Sequence, residues 1–273
     1  MLGKLIKNEW RSTWKIPAFI NIFLAVFTLF GFLSLKSGIW KSTSPIINAL
    51  SGLMFVFYVI MLSAVSFVIF IYIAMRFYKN LYTDEGYLMH TLPVTKKALI
   101  CSKLLNSIFW TILTGIVIIA SILALFSGLL SASNAGINLG DFFRELHELL
   151  FSSEFKQNFG MSFPYFLALF IPVMLCNVVS NILMLYTAIS LGQLFQKHKV
   201  LGSIVSYIGI YAILQIISSI VSAPIFYSTA MSDTMMNPFM PPLLWFSLGE
   251  SIILCIVFFF LTEWLMKKKL NLD

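Results

Sequence analysis

The sequence predicts an all-α integral membrane protein with six transmembrane helices, an amphipathic interfacial helix at the N-terminus and a short cytoplasmic helix between the second and third spans. Three observations carry this reading. Of the 273 residues 59% are hydrophobic and 11% charged, with a mean hydropathy of +0.93, whereas a soluble domain is about half apolar and a quarter charged. Apolar runs of membrane-spanning length recur along the chain. The basic residues sit in short clusters between those runs, so the net charge of +7 does not read as a nucleic-acid footprint.

A span needs roughly 20 apolar residues, because a helix rises about 1.5 Å per residue across a hydrocarbon core of about 30 Å. Residues 16–35, 46–74, 104–130, 163–195, 200–223 and 243–266 meet this. The first run follows a basic segment as in a signal peptide, but no small-residue cleavage site follows it, so it reads as a retained span. In the fourth, Pro164 marks the helix start and Pro172 a kink. Lys and Arg fix the orientation. Fourteen of the 18 lie in residues 1–15, 75–103, 196–199 and the C-terminal tail, and four in the alternate connections. The first set is therefore expected in the cytoplasm, with both termini inside a multi-pass cell-membrane protein.

The stretches outside the spans have their own patterns. Residues 1–15 place Leu2, Leu5, Ile6, Trp10 and Trp14 at helical spacing, with Lys4, Lys7, Arg11 and Lys15 between them. That arrangement suits a helix lying in the interface, with Trp10, Arg11 and Trp14 as its anchors. The extracellular connection 131–162 carries Phe142, Phe143, Leu146, Leu149 and Leu150 at helical spacing, which predicts an amphipathic helix. The second, 224–242, holds Pro224, Pro238, Pro241 and Pro242; four prolines argue against one continuous helix, and a broken or re-entrant segment would suit them.

The cytoplasmic loop 76–103 is too polar for membrane core, yet rich in aromatics. Asp84 and Thr95 are placed to cap short helices and Pro93 to end one. The predicted course is a long second span, a turn, a short amphipathic helix and a return. Here the chain resembles the permease subunits of ABC-2-type ABC transporters, particularly small six-span permeases of Gram-positive bacteria. The residues that carry the resemblance are LGKLIKNEWRSTWKIP at the N-terminus and FYKNLYTDEGYLMHTLPVTKKALICSKLL after the second span, together with the six-span layout. The resemblance implies that the N-terminal helix is the family's connecting helix and that Tyr82–Leu92 forms a coupling helix docking on a separate ATPase subunit. Tyr82, Asp84, Glu85, Tyr87, Leu88, Met89 and Leu92 would make that surface. It further implies pairing with a second permease copy or paralogue in the lipid bilayer. The connection between spans five and six, about 18 residues, is short for the family's outer re-entrant helices.

Nucleotide hydrolysis is expected in a partner, because the chain lacks a phosphate-cradling loop of the form G-x-x-x-x-G-K followed by Ser or Thr. His90, His147 and His198 fall on opposite sides of the predicted membrane, and no nucleophile–base set lies at membrane depth, so neither enzyme activity, metal nor cofactor is expected. Cys101, Cys176 and Cys255 read as small buried hydrophobes. Glu250 is the outstanding intramembrane group: an ionisable side chain costs about 3 kcal/mol at a helix centre and is by default a functional candidate. Glu263 has Lys267 at i+4, which predicts a local pair. Asn177, Ser180 and Asn181 share one face of the fourth span and serve either as packing glue or, with Glu250, as substrate path or gate. Gly202, Ser206 and Gly209 suggest close packing of the fifth span. With these features, the resemblance implies a permease subunit of an ATP-driven exporter. The alternatives are a non-transporting anchor that recruits a cytoplasmic partner and, less favoured, a secondary transporter or channel.

Overall fold

The structure, a computed structural model, describes residues 2–36, 45–83, 86, 94–132, 139–195, 197–230 and 240–268. Among them there is no strand. Apolar side chains in long runs leave the backbone no partner but itself, and in a bilayer the helix alone satisfies every peptide group within a single segment. The helices are α1 (Leu2–Thr13), α2 (Lys15–Lys36), α3 (Pro45–Tyr82), α4 (Lys96–Ala132), α5 (Leu139–Leu150), α6 (Ser153–Phe159), α7 (Phe163–Gly192), α8 (Lys199–Ala230) and α9 (Met240–Lys268). Six of them, α2, α3, α4, α7, α8 and α9, are long and apolar enough to cross a membrane. The chain is a multi-pass α-helical membrane protein.

Several boundaries differ from the apolar windows, for one reason. Hydropathy marks where lipid would be tolerated, whereas a helix continues until its hydrogen-bond ladder is interrupted. Thus α3 runs on to Tyr82 and α8 passes through Pro224 to Ala230, although Pro224 had suggested an end; a membrane helix tolerates an internal proline. Pro241 and Pro242 fall in the first turn of α9, where the missing N–H has no partner to lose. The residues between α8 and α9, on which a re-entrant segment was expected, lie outside the described residues. Pro164 stands at the start of α7 and Pro172 inside it, as expected. Leu139–Leu150 is helical, in keeping with its apolar spacing. Ser152 caps α6 by accepting from Phe155 N at 3.1 Å, and Gly160 ends it at φ 70°, a left-handed conformation that suits glycine.

The N-terminal segment runs into the first span with little interruption. Trp14 N bonds to Trp10 O at 3.1 Å and Ala18 N to Trp14 O at 3.0 Å, so α1 and α2 share one nearly unbroken ladder.

The chain divides into two compact units. One comprises residues 3–73 and 105–146. In it Trp10 stacks on Trp110 with ring centroids 5.5 Å apart and meets Phe109 edge-on. Thr13 is buried and tied twice: its Oγ1 accepts from Asn106 Nδ2 at 2.9 Å and its carbonyl from Tyr72 Oη at 3.1 Å. Asn21 Nδ2 donates to Thr114 Oγ1 at 3.1 Å. Such interhelical bonds substitute for a hydrophobic drive that lipid does not supply. An apolar groove of about 700 Å³ opens between α2, α3 and α4, with Phe27, Phe30, Phe55 and Tyr58 among its walls.

The other unit comprises residues 1–2, 74–104 and 147–273. Its centre is α7, which packs along α9 and α8 and buries Leu183, Tyr186 and Ala188. Thr187 Oγ1 and Thr262 Oγ1 lie 2.9 Å apart where α7 meets α9. At the end of α7, a Cβ on Gly192 would run into the backbone and side chain of Ser203, and one on Gly202 into Phe195. The crossing of α7 and α8 there requires glycine. Gly202 therefore acts as the sequence suggested, whereas a Cβ on Gly209 would meet nothing within 4 Å among the described residues.

Candidate functional site

The second unit assembles a polar cavity of about 230 Å³ from one face of each of α7, α8 and α9. From α7 come Asn177, Ser180 and Asn181, from α8 Tyr211, Gln215 and Ser218, and from α9 Glu250 and Ser251. Asn177 and Gln215 lie at the midpoints of their helices, and Glu250 lies ten residues into α9. Polar groups from the three helices share this space, with Glu250 half-buried and Asn181, Tyr211 and Gln215 at its exposed side. Met184, Leu214, Leu254 and Phe258 complete the walls.

Glu250 is held by Ser218, whose Oγ donates to Oε2 at 3.2 Å. The two asparagines are oriented from their own helix. Asn177 Nδ2 donates to Val173 O at 3.0 Å and Asn181 Nδ2 to Asn177 O at 2.8 Å. Ser180 and Ser251 likewise donate to carbonyls one turn back. The serine hydroxyls and one N–H of each asparagine amide are thus engaged, and each asparagine brings its second N–H and its amide oxygen to the cavity beside the carboxylate. The sequence offered Glu250, Asn177 and Asn181 together as a candidate path or gate, and all three line this one cavity. It missed Tyr211, Gln215 and Ser218, although their spacing of four and then three residues places them on one helical face.

The loop residues present a different picture. Tyr82, expected on a docking surface, is 6% exposed, and its Oη lies 2.7 Å from Ser190 Oγ of α7. It is directed into the chain's own core because α3 continues past the apolar window and packs its last turn on α7. Phe77, one turn earlier, stacks on Tyr186 of α7 at 3.7 Å. On the returning side Thr95 Oγ1 accepts from Ala98 N at 3.3 Å, the cap its position suggested. Lys97 Nζ then reaches Glu263 Oε2 of α9 at 3.7 Å and lies over the Phe260 ring. Glu263 also pairs with Lys267 at 2.6 Å, as the i+4 spacing implied; Lys97 was not foreseen because its partner is 166 residues away. Asp84, Glu85, Tyr87, Leu88, Met89 and Leu92 lie outside the described residues. In α1 Arg11 is exposed and Trp10 is 38% exposed despite its ring contacts, and Trp14, between α1 and α2, is exposed as well.

Among the described residues no group of three His, Cys, Asp or Glu could hold a metal ion. Cys255 Sγ donates to Cys176 O at 3.4 Å, and the three cysteines are free thiols. Fold and site together define a membrane protein with six helices of spanning length and, among three of them, a polar cavity lined by one carboxylate. Comparison with family models, curated proteins and solved structures finds no match.

Proposed function

We propose that this chain is the membrane-spanning permease subunit of an ATP-driven transporter of the ABC-2 type, working as an exporter and paired with a separate ATPase and a second permease. The observation that carries the reading is how the two stems of the 83–95 loop are attached. The outgoing stem grips α7 through Tyr82 and Ser190, and the returning stem grips α9 through Lys97 and Glu263. Those two helices carry Asn177, Asn181 and Glu250. A push on the loop is therefore delivered to two walls of the polar cavity, which is what coupling hydrolysis in a partner to a path in this chain demands.

In this reading the loop lies on the cytoplasmic face, where the bias of basic residues puts it. Tyr87, Leu88 and their neighbours supply the docking surface, and Tyr82 braces its base. The chain itself carries no hydrolytic machinery and contributes shape, docking and a path. Asn181 and Gln215 are exposed in the single chain, and at membrane depth such amides call for a protein or water neighbour. A second permease supplies one.

The test is co-purification of the full chain with candidate ATPases, followed by transport in vesicles. Leu88→Ala together with Tyr87→Ala is expected to abolish ATPase association while the helical fold persists. Retained association and retained transport in that variant would reject the docking assignment. Association without any transport activity would favour a membrane anchor instead.

A further inference from the structure

We propose that the cavity around Glu250 is a binding site for an organic ammonium ion, a protonated amine carried on an apolar body. This deepens the path reading by naming the chemical class that the site accepts.

Three features lead to that class. The first is charge: Glu250 is the only ionisable carboxylate among the lining residues, and no Lys, Arg or His stands among them. A carboxylate at such depth without an opposing cation is costly, and a cationic ligand removes that cost. The second is hydrogen-bond polarity. Asn177, Ser180, Asn181 and Ser251 each donate to a backbone carbonyl of their own helix, and Ser218 donates to Glu250. The serines offer a guest hydroxyl oxygens, the asparagines an amide oxygen and a second N–H, and Gln215 and Tyr211 donor and acceptor alike. The carboxylate and the serine oxygens suit a guest that brings N–H donors, and an ammonium bonded to a carboxylate makes the stronger, charge-assisted kind.

The third feature is size and wall chemistry. About 230 Å³ is nearly eight times the roughly 30 Å³ share of one water in the liquid. A bare metal ion needs oxygen ligands closed around it at about 2–2.6 Å, usually with several carboxylates; one carboxylate in so roomy a space does not make that cage. Leu214, Leu254 and Phe258 line the cavity beside the polar groups. They suit the carbon skeleton of an amphiphilic amine, and the rings of Tyr211 and Phe258 add cation–π attraction.

The test uses the full chain alone in phosphatidylcholine nanodiscs, with dansylcadaverine as the primary-ammonium probe and its neutral N-acetyl derivative as comparison. Fluorescence titration should give saturable binding of the amine, tighter than that of the neutral derivative by about ten-fold or more, as expected for a charge-assisted hydrogen bond. Glu250→Gln should remove that preference, Asn181→Leu should weaken it, and Glu154→Gln on α6 should leave it intact. Equal binding of the two compounds by the unaltered chain overturns the proposal without recourse to any variant. So does a preference that survives Glu250→Gln. Displacement of the amine by sodium chloride, but not by choline chloride at the same ionic strength, would assign the site to an inorganic cation and overturn it too. Because no ATPase is present, this outcome is separate from the docking reading, which stands or falls on co-purification.

Discussion

Tyr82 Oη and Ser190 Oγ, 108 positions apart in the chain, lie 2.7 Å from each other in a buried contact between the last turn of α3 and the end of α7. With Phe77 stacked on Tyr186 one turn away, this contact fixes where the loop after α3 begins. Its role is internal bracing, and its removal should be felt as stability before it is felt at any partner.

Tyr82→Phe keeps the ring and deletes the hydroxyl, leaving Ser190 Oγ with its bond to Tyr186 O. The expected loss is about 1 kcal/mol, the net worth of one intramolecular hydrogen bond, read as a lowered Tm in detergent. Association with an ATPase should be unchanged. A variant of native stability that fails to bind an ATPase would return Tyr82 to the docking surface.

Lys97→Ala should leave stability within about 0.5 kcal/mol, because the lysine is 55% exposed on its side chain and such pairs contribute little. Under the proposed function it should nonetheless lower transport relative to ATP hydrolysis, since the returning stem loses its hold on α9. Tight coupling with full transport in Lys97→Ala would remove that link.

Thr187 and Thr262 offer a double-mutant cycle at the crossing of α7 and α9. Each hydroxyl also reaches the carbonyl of Phe258, so either single change to Ala leaves the other threonine bonded. A coupling energy of roughly 0.6 kcal/mol, the average for interhelical side-chain bonds in a membrane protein, is expected from unfolding curves. A value indistinguishable from zero would mean the pair has no energetic role.

Gly192 and Gly209 should respond oppositely to the same substitution. Gly192→Ala forces a Cβ into Ser203 and is expected to destabilise by about 1–3 kcal/mol through overpacking. Gly209→Ala, with nothing within 4 Å, should be within about 0.5 kcal/mol of neutral or slightly stabilising in the isolated chain. If Gly209→Ala instead disrupts a dimer while sparing the monomer, that face meets a second subunit.

Hydropathy by itself determined the class of this protein: six runs too apolar for water can be satisfied only as helices in a bilayer, and each appears as a long helix in the structure. Local spacing determined the short-range contacts equally well. Thr95 caps α4 and Glu263 meets Lys267 because both relations lie within a turn or two of one helix. The tertiary structure decided what depends on which faces meet. No spacing rule brings Lys97 to Glu263, or turns Tyr82 inward rather than toward a partner, since both depend on how α3 and α4 pack against helices far along the chain. The same holds for the cavity. Glu250, Asn177 and Asn181 were conspicuous as polar groups in apolar runs and were grouped as a candidate path, yet only the packing of α7, α8 and α9 sets them with Gln215 and Ser218 around one space. A polar residue announces itself against a hydrophobic background; its partners are chosen by helix rotation, which the sequence of a single helix does not specify.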